Sequence, residues 1–166
     1  MKRHFLVKRL FTGLLVVLWM LVIGSFSAQT GGESGGLSER VADILLSVGE
    51  TLRGQAYPAA EREALIERMQ YPVRKLAHMS EYGLLALLLV WHLSYYEALK
   101  NQYLRRLLLA LCIAVLYAAT DELHQRFVPG RSGQISDVCI DGAGALLGIL
   151  FCFGGHRIFK KSNKNK

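Results

Sequence analysis

The chain has 166 residues, of which 52% are hydrophobic and 20% charged, and its formal net charge is +7. Its apolar residues stand in long blocks with the charges gathered between them, which excludes both an ordinary soluble domain and a disordered chain. The positive charges border the blocks without interleaved aromatics. They therefore speak for membrane orientation and anionic headgroups, and against a nucleic-acid groove.

The first block runs from about Leu10 to Ala28, behind the basic start Lys2, Arg3, Lys8 and Arg9. It is long for the apolar stretch of a cleavable leader, and Phe26 fits a cleavage site poorly, so a retained span is expected with a cleaved leader as the competing reading. A polar connection follows from Gln29 to Arg74, opening with a Gly/Ser-rich linker at Gly31–Gly36. After a candidate N-cap at Ser38, the residues Val41, Ile44, Leu45, Val48 and Leu52 recur at helical spacing. Pro58 suits the first position of a second short helix. Both helices are expected to be amphipathic and to lie against the membrane surface or the bundle.

Three more blocks follow, at about Leu76–Tyr96, Leu104–Thr120 and Asp137–Phe153. Each is near the length a tilted helix needs to cross a bilayer. In the last, Gly144 and Gly148 form a small-xxx-small pair that lets helix backbones approach closely. Cys112, Cys139 and Cys152 lie inside these blocks and read as small packing residues. The expected fold is an all-α membrane protein, a bundle of four transmembrane helices with short amphipathic helices in the first outer loop. Its parts are a tail and first span (1–28), an outer amphipathic linker (29–72), a three-helix core (73–154) and a basic tail (155–166). Lys100, Arg105, Arg106 and the basic tail fall on the same side as the N-terminal positives, so both termini are expected in the cytoplasm.

Ionisable residues crowd one end of this bundle. In block two His78 and Glu81 are three apart and share a helix face, just after Arg74 and Lys75. Block three ends with Asp121, Glu122, Leu123, His124 and Gln125; Asp121, His124 and Gln125 are expected on one face, with Glu122 turned away by about a quarter turn. Pro129-Gly130 reads as a tight turn with Gly at positive φ, followed by Arg131 and Ser132, with Asp137 and Asp141 opening block four. The alternating direction of the spans brings all these groups to the outer end. An unpaired charge deep in a membrane costs about 2.5–3.5 kcal/mol, so such groups pair with one another or line a wet cavity. His92 and His156 lack such company and read as interfacial side chains.

The run from Arg74 to Leu85, the Asp121–Gln125 run, and Phe127–Gly133 with Asp137 four residues on resemble the VanZ-like family. The resemblance spans about Val73 to Phe153 and leaves Gln29–Met69 outside. It implies a small bacterial membrane protein of the cell envelope, in a family mostly of Gram-positive organisms whose namesake is associated with resistance to the glycopeptide teicoplanin. It implies no settled biochemical activity.

Two functions are compatible with the residues. In the first, an outer pocket made by Lys75, Gln125, Arg131, Ser132 and Asp137 binds a polar or anionic envelope ligand: a membrane lipid, a lipid-linked precursor or a glycopeptide drug. In the second, His78, Glu81, Asp121, Glu122 and His124 supply acid–base chemistry to a hydrolase acting on a lipid-linked substrate. No cofactor is expected, and a metal is disfavoured because no His-x-x-x-His pair is present.

Overall fold

A computed structural model describes the backbone of residues 2–162 and the side chains of residues 3–154. It is helical throughout the described residues: α1 (Lys2–Ser27), α2 (Gly31–Arg53), α3 (Ala59–Leu93), a short 3-10 turn (Glu97–Leu99), α4 (Tyr103–Gln125) and α5 (Ile135–Ser162). Four of these helices are long and apolar enough to cross a membrane, at Arg3–Ser27, Ala59–Leu93, Tyr103–Gln125 and Ile135–Gly154. The expected all-α membrane bundle is therefore what the chain forms.

The connection before the second span differs from its reading in the sequence. Gly31–Gly36 is no linker but the start of α2, because Thr30 caps the helix. Its hydroxyl accepts from the Glu33 amide, and the Glu33 carboxylate accepts in return from the Thr30 amide at 2.8 Å. Ser38, expected as the cap, is buried inside α2 and donates to the Ser34 carbonyl. Nor is there a separate second short helix. Pro58 serves as the N-cap of a single 35-residue α3 that runs through Pro72 into the span. At 1.5 Å per residue α3 is about 52 Å long, against about 30 Å of hydrocarbon core. Its charged first half therefore stands beyond that core, at one end of the bundle. There it forms a hairpin with α2, closed by Gly54 at φ 69° and by Arg62, which reaches Asp43 at 2.7 Å and Glu50 at 3.4 Å.

Within the bundle α3 packs against every other long helix. The contacts are built on small side chains: Ala86, Ala110, Ala114, Ala118 and Ala145 are fully buried. Gly144 rests on the Met79 backbone and Gly148 on that of Gly83, so close that a Cβ at either glycine would overlap the carbonyl opposite. Long apolar side chains such as Leu21, Leu104, Leu116 and Leu147 face outward, where lipid is their solvent. Cys112 and Cys139 face outward too and do not pack the interior, while Cys152 is half-buried. Toward the opposite end His92 ties α3 to α1 through Thr12 Oγ1 at 3.0 Å and also meets Tyr96 at 3.2 Å. His156 lies outside the described side chains.

Candidate functional site

The polar end of the bundle is assembled by the loop between α4 and α5. The Arg131 amide donates to the Val128 carbonyl, closing a turn in which Gly130 has φ 72°, as the Pro-Gly pair predicts. This turn is held against the start of α2: the Gly31 amide donates to the Pro129 carbonyl, and the two glycines touch. Arg131 then reaches back to the end of α1, donating to the carbonyls of Gln29 and Phe26 at 3.1 Å each. It serves a helix C-terminus with part of its fork and has N–H groups left over. Below it, Ser27 donates to Asp121 at 2.5 Å and Gln125 donates to both, a buried network joining α1 to α4. Glu122 accepts from the Gln134 amide at 3.0 Å, and Lys75 pairs with Asp137 at 2.5 Å, joining α3 to α5.

Two cavities open onto these groups. The larger, about 190 Å³, lies between the end of α1, α2 and α3. The smaller, about 120 Å³ and strongly polar, lies between α3 and the α4–α5 loop. Arg74, His78 and Arg131 line both. Around them, Arg74 Nε, His78 Nδ1 and Glu81 Oε2 are buried without a hydrogen bond to any described residue; His78 and Glu81 approach only to 3.7 Å. Burial, together with the neighbouring Arg74 guanidinium, holds Arg131 below the ordinary arginine pKa, against the pull of Asp121, Glu122 and Glu81. Two guanidiniums thus share one partly dry site, with the Glu81 carboxylate on the wall of the larger cavity.

The VanZ/LLP1 family description matches residues 12–160. The chain belongs to the VanZ/LLP1 family. No curated protein and no solved structure matches it. The family match reaches back from the three-helix core through the α2–α3 hairpin into α1, so the segment Gln29–Met69, expected to lie outside, is part of the VanZ/LLP1 unit.

In this VanZ/LLP1 chain the structure gathers most of the residues singled out in the sequence, but in different company. His78 and Glu81 line the larger cavity. Lys75, Gln125, Arg131, Ser132 and Asp137 line the smaller. Lys75 is already neutralised by Asp137, however, and Gln125 is engaged with Ser27 and Asp121. Asp121, Glu122 and Gln125 are buried together, while His124 is exposed. The expected face of Asp121, His124 and Gln125 is therefore corrected. The inward arc of α4, traced by Ala114 and Ala118, centres between Asp121 and Glu122 and leaves His124 outside it. Arg74 was missed as a site residue, although its i,i+4 spacing to His78 was a readable signal. Asp141, read as part of the charged end, and Tyr82, which looked like one more apolar-block residue, are fully buried and line neither cavity. No group of three or more metal-ligating side chains converges among the described residues.

Proposed function

We propose that this VanZ/LLP1 family protein is a multi-pass protein of the bacterial cell membrane, with both termini cytoplasmic, whose outward-facing pocket binds the anionic headgroup of an envelope ligand. The observation that carries the reading is the pair Arg74 and Arg131. They face the same two cavities, repel each other, and keep donors to spare. An anion held between them removes the repulsion and satisfies those donors, and Arg forks suit phosphate or carboxylate. A lipid-linked precursor or a lipidated glycopeptide offers such a group, which would connect the pocket to glycopeptide resistance.

The test is to purify the protein in native lipids and identify what co-purifies by mass spectrometry. Anionic species should be enriched over the bulk membrane and lost in Arg74→Gln; an unchanged profile in the variant sinks the pocket. Orientation is tested at the hairpin tip, where Gln55 is exposed. Gln55→Cys, in a background lacking Cys112, Cys139 and Cys152, should react with an impermeant thiol reagent in intact cells. Reaction only after lysis reverses the topology.

A second reading, acid–base hydrolysis, draws on one observation: His78 and Glu81 face the same cavity and are not committed to other partners. A water held there could be activated by His78, with Glu81 orienting the ring. His78→Gln would then leave the ligand bound but unprocessed, whereas in a binding site it only weakens retention.

A further inference from the structure

The two cavities differ in chemistry, and they meet at the guanidiniums. The larger has one apolar wall, made by Phe26, Leu37, Val41, Val73 and Ala77. The smaller is walled by polar groups such as Tyr71, Gln134, Ser132 and the Lys75–Asp137 pair. Arg74 and Arg131 stand at the boundary. A small inorganic anion uses only that boundary and the polar side, and leaves the apolar wall wet. The apolar wall is also continuous with the lipid-facing surface: Phe26 continues the exposed row Leu18 and Val22 along α1 at four-residue steps. On the other side of the cavity Leu37 and Val41 are 45% and 40% exposed, so the lip is open.

Building on the anion-binding reading above, we propose that the occupant is a lipid of the outer leaflet with a net-negative phosphate headgroup, taken in sideways. Its chain lies over Phe26, Leu37 and Val41, its phosphate sits between Arg74 and Arg131, and the rest of the headgroup fills the polar cavity. Apolar burial and charge pairing then act on one molecule, and the α2–α3 hairpin is the part of the fold that supplies the chain-binding wall.

Free phosphate carries the same anionic chemistry, and thermal melting of the full-length protein in a maltoside detergent separates the two. The probes are inorganic phosphate, dioctanoyl phosphatidylglycerol and dioctanoyl phosphatidylcholine, each at equal concentration and fixed ionic strength. A ligand that binds only the folded state raises Tm. Phosphatidylglycerol should raise it by several degrees, and the other two far less. Arg74→Gln should remove the shift through the charge. Val41→Asp and Leu37→Asn should each remove it through the apolar wall. All three positions are partly exposed, and the melt without ligand shows that each variant still folds. Equal shifts from phosphate and phosphatidylglycerol overturn the lipid proposal and leave the anion site standing. Equal shifts from the two lipids overturn the anion site and the proposal with it, as does the absence of any shift. A phosphatidylglycerol shift unchanged in both Val41→Asp and Leu37→Asn overturns the placement of the chain.

Discussion

The crossing of α3 with α5 and the polar end above it lie within about two helical turns along the same helix, from Lys75 to Gly83, yet they hold together by opposite means. At Gly144 and Gly148 backbone meets backbone with no side chain between. At Lys75, Asp137, Arg74 and Arg131 charged side chains meet around a cavity. The first arrangement is shape alone, and any added atom harms it. The second is charge balance, tolerant of shape but not of a missing partner. At the crossing the backbones come together; at the polar end some buried polar atoms stay unmatched.

Substitutions can break this contrast. Replacing both Gly144 and Gly148 with Leu should have the largest effect. The new side chains collide with the Met79 and Gly83 carbonyls, which cannot rotate away, and the loss should exceed about 3 kcal/mol. Accumulation of the protein in membranes should fall close to zero. A wild-type melt in detergent would show that these glycines face lipid after all. Next comes Lys75→Met, which strands the Asp137 carboxylate in a half-buried position at a cost of about 2–3 kcal/mol. In the double variant with Asp137→Leu much of the loss should be recovered, and a purely additive cycle would mean that the pair contributes no coupling.

Smaller effects sharpen the polar side. Asp121→Ala leaves Ser27 and Gln125 without their acceptor and should lower stability by about 1–2 kcal/mol, whereas Asp121→Asn, which still accepts from Ser27, should lose less. His124→Gln should change stability by under about 0.5 kcal/mol and leave lipid co-purification intact, because the ring is exposed. A large loss at His124 would return it to the site. The smallest effect is a pH effect at the start of α2. The Thr30 amide and hydroxyl hold Glu33 below its ordinary carboxylate pKa, so its capping contribution is complete above that ordinary value and fades as pH falls through the lowered one. Amide hydrogen exchange in the first turn of α2, corrected for intrinsic rates, should speed up in acid, and less so in Glu33→Gln.

The spans were legible in the sequence because a membrane helix must be apolar all round, and that signature survives without any tertiary context. The Gly144–Gly148 contact was legible for a related reason, since small residues one turn apart have few other uses in such a helix. The hairpin was not. Glycines at 31, 32, 35 and 36 argue against a helix by propensity, and the Thr30–Glu33 cap together with the packing of Gly31 on Gly130 overrides them. The identity of the charged cluster could be read, but its pairing could not. Lys75 and Arg131 could be read as countercharges for any of Glu81, Asp121, Glu122 or Asp137, and the fold gives Lys75 to Asp137 and sets Arg74 beside Arg131 on one cavity. Which way α4 is rotated decided between His124 and Glu122, and the small residues Ala110, Ala114 and Ala118, four apart on the buried face, were the signal that would have set that angle.

The contact of α5 with α3 also bears on how the bundle comes together. Lipid tails are as apolar as the side chains they would replace, so little is gained in a membrane by burying leucine against leucine. Where Gly144 and Gly148 meet Met79 and Gly83, the glycines contribute no rotamers that must be frozen when the helices dock. Two inserted helices can therefore close on each other there with almost no loss of side-chain entropy. That joint sets the spacing of α3 and α5 beneath the charged end.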